Sequence, residues 1–256
     1  MKNENTSPLD FDQLICEYFA SLKRQGPGSP EMTIKALSFM DNLNEISQTA
    51  DLGCGTGGQT MVFAQNIAGN ITGVDIFPDF INIFNDNAKQ QKLQDRLKGV
   101  VGSIDNLSFQ KEELDLIWSE GAIDHIGFEK GFNYWRDFLK KGGYIAVTNF
   151  TWFTDERPVE LEKFYLEAIP EIRTMGQNIS IIQKAGYVPV AAFTLPEKCW
   201  IDNYFIPQKT RQKEILEKYA GDKTVETFIS NTKYQEDLYS KYKQHHGYVF
   251  YIGEKI

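Results

Sequence analysis

A chain of 256 residues, 41% hydrophobic and 24% charged, carries enough apolar surface for one large domain and excludes a disordered or collagen-like polypeptide. Its net charge of -8 repels a phosphate backbone, so nucleic acid is not an expected partner. No apolar run reaches the roughly 18 residues a membrane helix needs, and the start shows no secretory pattern. Cys16, Cys54 and Cys199 make neither a disulfide framework nor a metal site, and a cytoplasmic chain follows as the expectation.

Residues 10–25 place Phe11, Leu14, Ile15, Tyr18, Phe19 and Leu22 on one face, which predicts an amphipathic helix. Gly26-Pro27-Gly28 ends it, and Ser29-Pro30 read as the N-cap and first-turn proline of a second helix, to residue 43. A strand ending at Asp51-Leu52 leads into a glycine loop, a helix over 58–67, a strand over 71–75 and a helix over 79–91. Strands at 97–101 and 114–118, a helix over 129–139 and a strand over 144–148 come next. The alternation then loosens into helices over 156–172 and 178–185, a strand over 188–195, a charged helical stretch over 196–247 and a last strand over 248–253.

Seven strands alternating with helices predict an α/β fold with a mostly parallel sheet covered on both faces. The expected organisation is a single domain with a helical cap over 1–45, a cofactor-binding core over 46–150 and a substrate-side half over 151–256. The cap and the helical insertions would together form a lid.

The loop Asp51-Leu52-Gly53-Cys54-Gly55-Thr56-Gly57-Gly58-Gln59 sits where the first strand meets its helix, the usual ligand crevice of an open α/β sheet. A phosphate-binding P-loop is excluded because Gln59 stands where a lysine is required. A dinucleotide fingerprint is met formally by Gly53, Gly55 and Gly58 with Asp75 about 20 residues on, which keeps an NAD-dependent oxidoreductase open. Against it, a carboxylate at Asp51 faces the approach of a pyrophosphate and suits a cationic ligand group better.

The spacing of Asp51, Gly53, Gly55 and Gly57, with Asp75 closing the second strand, resembles the cofactor signature of class I S-adenosylmethionine-dependent methyltransferases. The likeness continues through residues 102–109, 114–121 and 139–143, and covers about residues 46–150. Residues 26–31, 118–129 and 194–200 further resemble a bacterial subgroup acting on small molecules. The resemblance implies a Rossmann-like fold and S-adenosylmethionine as cofactor, with S-adenosylhomocysteine as product. It implies a binding set of Asp51, Gly53, Cys54, Gly55, Gly57, Asp75, Ile76, Ser103, Ile104 and Glu120, with Gly28 and Ser29 closing over it. Ser103 departs from the family's usual aspartate, and either its hydroxyl or the backbone at Ile104 substitutes in that role.

Glu120, Asp124 and His125 follow the fourth strand, where an acceptor would meet the methyl group. Glu120 and His125 are the candidate catalytic residues, as general bases. Carboxylates and one histidine, with no nearby cation, favour an N or O atom of a small molecule as acceptor. A non-catalytic S-adenosylmethionine-binding sensor is the other-class alternative. Trp152, Phe153, Tyr187, Trp200, Tyr204 and Tyr248 are candidate lid aromatics, although aromatics are more often core. His245-His246 lack ligand spacing and read as surface. A monomer or homodimer is expected.

Overall fold

In the computed structural model, which describes residues 10–256, the chain opens with α1 (Phe11–Ala20) and α2 (Pro30–Leu37). The Ser29 hydroxyl accepts from the Met32 amide and the following proline fills the first turn, as a helix start requires. The part of the expected cap before Asp10 lies outside the described residues. Next come β1 (Gln48–Leu52), α3 (Gly58–Ala64), β2 (Asn70–Asp75), α4 (Pro78–Gln90), β3 (Leu97–Val101) and β4 (Leu114–Glu120). Helix α5 (Phe128–Trp135) leads to β5 (Leu139–Trp152), followed by α6 (Val159–Ala168), β6 (Arg173–Thr174), α7 (Met175–Lys184) and β7 (Tyr187–Thr194). Helix α8 (Glu197–Trp200) runs through a π-helical turn over Ile201–Phe205 into α9 (Ile206–Lys218); α10 (Lys223–Tyr242) and β8 (His246–Lys255) follow.

Among the described residues the strands form one sheet in the order β3-β2-β1-β4-β5-β8-β7, with β6 against the end of β5. The pairs on the β3 side are parallel, and β8 runs antiparallel to β5 and β7. The strand order reverses between β1 and β4, which opens a crevice at their carboxyl ends. Alternation along the strands divides the core. Leu116, Trp118, Ala146, Phe150 and Phe250 pack on one face under α2, α3 and α4, whereas Ile117, Ile145, Val147 and Tyr251 pack on the other with α5 and α7. Among the described residues no helix is long and apolar enough to cross a membrane.

A third, smaller core joins distant parts of the chain. Leu14, Tyr18 and Leu22 pack against Ile215, Val225 and Ile229, so α1 rests on α9 and α10. Tyr18 Oη donates to Gln208 Oε1 at 2.9 Å, and Glu17 accepts from Arg211, Lys218 and Tyr219.

The expected seven strands become eight because β6, two residues long, carries no periodicity to read. Strand β5 begins at Leu139 rather than at residue 144, its register against β4 shifting between Leu114 and Leu116. Helix α1 stops at Ala20, short of residue 25, because Arg24 and Gln25 are drawn into tertiary contacts. Helix α6 is confined between Pro158 and Pro170.

Candidate active site

Strand β1 delivers Leu52 to the crevice and the chain turns back on three left-handed glycines, Gly53, Gly55 and Gly57. Two are required by space as well as by φ. A Cβ on Gly53 would lie 2.2 Å from the Ala122 Cβ, and one on Gly57 would lie 2.7 Å from the Phe84 ring; at Gly55 only the movable tip of Gln25 is in the way, so the left-handed φ decides there. Asp75, at the end of β2, locks this loop: its Oδ2 accepts from the Gly55 amide at 2.9 Å and its Oδ1 from the Phe77 amide at 3.1 Å. Burial raises its carboxyl above the ordinary carboxylate range, and the backbone donors from Phe77 and Gly55 oppose the shift.

Asp51 faces away from the crevice. Its Oδ2 accepts from the Thr60 hydroxyl and, at 3.3 Å, from Gln59 Nε2, while Oδ1 has no partner. Burial pushes this carboxyl up to about 7 despite those hydrogen bonds. The folded chain therefore holds the Asp51 proton more tightly than the unfolded chain, so this contribution to stability is full at acid pH and is lost as pH rises from about 4 to about 7. Asp124, which burial also pushes up to about 7, adds to the same slope. We expect Asp51→Asn, which removes the ionisation and keeps an oxygen for Thr60 and Gln59, to flatten the fall of melting temperature across that window. A variant whose melting temperature falls as steeply as the parent's would refute the assignment.

The segment after α1 crosses the loop as a strap. Gln25 Oε1 accepts from the Thr56 amide at 3.2 Å, and its Nε2 donates to Thr56 Oγ1 at 3.1 Å and to the Leu22 carbonyl at 3.0 Å. Arg24 forms an ion pair with Glu120 at the end of β4; their side chains are 9% and 3% exposed. Glu120 Oε1 also accepts from Thr33 Oγ1 at 2.8 Å and Trp118 Nε1 at 3.0 Å. Between strap, loop and sheet lies a cavity of about 690 Å³. It runs from Gly53, Gly55, Asp75 and Ile76 past Glu120 to an inner end at Phe150, Tyr165, Trp200 and Tyr248.

Residues 50–147 match the family described as a methyltransferase domain. Over 191 residues the chain is 30% identical to the erythromycin 3''-O-methyltransferase of Saccharopolyspora erythraea, a stretch covering 74% of this chain and 55% of that protein. These matches make residues 50–147 similar to the methyltransferase domain, consistent with the class I S-adenosylmethionine-dependent family. The chain spans about half the length of the curated relatives it matches. Its fold resembles that of Haemonchus contortus phosphoethanolamine N-methyltransferase 2, solved with phosphomonomethylethanolamine and S-adenosylhomocysteine, with a TM-score of 0.70 and 17% identity over 94% of this chain and 56% of that one. It also resembles the [4+2]-cyclase SpnF, with a TM-score of 0.72 and 19% identity over 88% of this chain and 81% of that one.

Of the residues expected from the methyltransferase signature, Gly53, Cys54, Gly55, Asp75, Ile76, Ser103, Ile104, Glu120 and His125 line the cavity. Four others lie elsewhere. Asp51 supports the loop from behind Gln59, which corrects the expectation of a carboxylate facing the ligand. Gly57 caps α3 and abuts Phe84 and Met61. Gly28 donates to the Cys199 carbonyl and accepts from Asn203, and Ser29 caps α2; Gly26 and Pro27 line the cavity in their place.

Glu120 is saturated by Arg24, Thr33 and Trp118, an arrangement that holds the strap rather than one free to take a proton. His125 is exposed at the rim, and its charge is felt by Asp75 on the loop side. Half-buried Asp124, whose carboxyl the nearby Phe150 amide draws down against the effect of burial, stays out of the cavity wall. Trp200, Tyr204 and Tyr248 line the cavity, while Trp152 and Tyr187 are core and Phe153 packs beside it.

His246, expected at the surface, is 0% exposed, because β8 starts two residues before the expected residue 248 and puts the ring on the same face as Tyr248, against Phe150. Burial lowers its pKa to about 4, so the ring is neutral. Sequence reasoning missed Arg24 and Gln25, whose partners are 96 and 31 positions away. It also missed Asp105, a cavity residue whose carboxylate accepts from Ser103 Oγ; its place two residues after Ser103 in the adenine-like segment was the available signal.

Proposed function

We propose that this chain is a methyltransferase that uses S-adenosylmethionine to methylate an N or O atom of a small molecule. The observation that carries the reading is Asp75, held by the Gly55 and Phe77 amides at the cavity wall and beside a glycine loop with no room for a side chain at Gly53 and a left-handed backbone at Gly55. These residues fit the cofactor: the loop at Gly53, Cys54 and Gly55 would accept the methionine portion, Asp75 the two ribose hydroxyls, and Ile76, Ser103, Ile104 and Asp105 the adenine. Bound there, the cofactor supplies an electrophilic methyl group on sulfur.

The protein's own part is to align the acceptor, exclude water and hold charge. Glu120 and Arg24 fasten the strap, and the aromatic inner end desolvates the acceptor. Neither Glu120 nor His125 is assigned as an obligatory base. The alternative of a sensor that only binds the cofactor is less well supported, because the cavity continues past Glu120 to Tyr165 and Trp200 instead of closing at bulky side chains. The likeness to a cyclase of the same fold makes direct measurement necessary. With Asp51 turned inward, its charge no longer argues against a pyrophosphate, so a nicotinamide cofactor is tested directly.

Calorimetric titration with S-adenosylmethionine, S-adenosylhomocysteine and NAD in turn separates the readings. Micromolar binding of the first two with no heat from NAD is the expected result. Binding of NAD alone would overturn it.

A further inference from the structure

The inner end of the cavity is a box with crossed aromatic walls. Trp200 and Tyr204 meet at 88° with ring centroids 6.3 Å apart, Trp200 and Tyr248 at 66° and 5.2 Å, and Phe150 and Tyr248 at 87° and 6.2 Å. Tyr165 lies over Phe150 at 4.2 Å and 34° and completes one wall. A planar ring would call for two parallel walls, whereas walls at right angles enclose a compact, rounded group and turn electron-rich faces towards it from several sides.

Two polar atoms at this end have no partner. Tyr165 Oη and Trp200 Nε1 belong to side chains only 3% and 1% exposed, and both residues line the cavity. Buried groups of this kind cost free energy unless something hydrogen-bonds to them, so both point to a ligand with polar atoms of its own. The charges narrow its class. The cavity wall carries Asp12, Asp75, Asp105 and Glu120, while its basic side chains among the described residues are Arg24, already paired with Glu120, and His125 at the rim. Among the described residues the inner end offers no free cation to a phosphate or carboxylate.

Resting on the methyltransferase reading, we infer that the acceptor is a compact alkylamine, and that Phe150, Tyr165, Trp200, Tyr204 and Tyr248 enclose its nitrogen as a methylated ammonium. Tyr165 Oη would accept from the amine and Trp200 Nε1 donate to an oxygen of the same molecule once the rings part to uncover these two closed-off atoms. A neutral amine forms its new N–C bond with its own lone pair while the S–C bond breaks towards sulfur, so the positive charge passes to nitrogen and no proton moves in that step. The transfer step itself therefore needs no base, and the proton that the alkylammonium carries in water is given up to solvent as the amine enters the cavity, in keeping with a saturated Glu120. A methylated ammonium spreads its charge over weakly hydrated methyl groups, so it loses less on entering a dry aromatic box than a primary ammonium does.

The test uses the whole protein saturated with S-adenosylhomocysteine, titrated calorimetrically with choline and with 3,3-dimethylbutan-1-ol, the same shape with carbon in place of the charged nitrogen. Choline should bind at least about tenfold more tightly than the neutral isostere. Tyr204 is only half-buried, so its replacement leaves no sealed hole in the core. Tyr204→Leu should weaken choline binding about fivefold and leave S-adenosylhomocysteine affinity unchanged, and Tyr204→Phe should retain choline binding. Equal binding of the two probes, binding of neither, or indifference to Tyr204→Leu would each overturn the inference while leaving the methyltransferase reading in place. Failure of S-adenosylhomocysteine itself to bind would overturn that reading and the inference with it.

Discussion

Asp75→Ala is expected to weaken S-adenosylhomocysteine binding about a hundredfold or more. Two charge-assisted hydrogen bonds to a ribose, each worth about 1.5–3 kcal/mol, disappear together. The loop also loses the acceptor that holds the Gly55 and Phe77 amides. Stability should move differently. Burial raises the Asp75 carboxyl above its ordinary range, so its ionised form is disfavoured in the folded chain, and the associated stability is lost as pH rises through the raised value. Asp75→Asn, which removes the buried charge but keeps an acceptor for only one of the Gly55 and Phe77 amides, should bind the nucleoside more weakly than the parent and lose less melting temperature than Asp75→Ala at neutral pH in the absence of ligand. Calorimetry and thermal melts on the same samples separate the two effects. Unchanged affinity in Asp75→Ala would remove this residue from the cofactor site.

The largest stability effect is expected from Arg24→Met. It leaves the Glu120 carboxylate, 3% exposed, without its cation. Removing one partner of a buried pair costs about 3–5 kcal/mol, because the remaining charge stays desolvated. For a chain of this size that corresponds to roughly ten degrees or more in melting temperature. Thr33 and Trp118 still donate to Glu120 but bring no positive charge. Combining Arg24→Met with Glu120→Gln removes the stranded charge and keeps an oxygen for those two donors, so most of the loss should be recovered. A single variant melting within about a degree of the parent would mean that the pair is solvated and the strap is held by Gln25 alone.

Local signals made the parallel half of the sheet legible. Strand β3 spans the residues its apolar run predicts, and β2 and α4 fall within a residue of theirs, because period-two and helical spacing are punctuated there by glycine, proline and acidic caps. The glycine loop was legible for the same reason: its chemistry lies within a few consecutive residues. Asp51 was misjudged although a signal existed. Alternation along β1 puts Ala50 and Leu52 on the α5 side, which turns Asp51 towards the first turn of α3, where Thr60 and Gln59 wait. The strap had no comparable signal, since Arg24 and Gln25 find partners only through the fold. The aromatic box was half visible. Trp200, Tyr204 and Tyr248 stood out as candidate lid aromatics, but Phe150 fell just past the strand expected to end at residue 148 and Tyr165 read as one residue of a helix.

The small core under α1 bears on how the protein is made. Its two sides lie far apart in the chain, the Tyr18 to Gln208 bond alone spanning 190 positions. During synthesis the strands around the glycine loop emerge first, with their mostly nearby partners, while α1 must wait for α9 and α10 to leave the ribosome. Until then its apolar face, with Leu14, Tyr18 and Leu22, is uncovered, and the strap that follows has no anchored end. Closing so long a loop is slow relative to local folding, so the nucleoside cavity takes its final shape as one of the last events of chain maturation. A nascent chain halted before residue 206 would carry the parallel strands β1 to β5 and an open crevice, with β8 still to be made and an exposed helix for chaperones to hold.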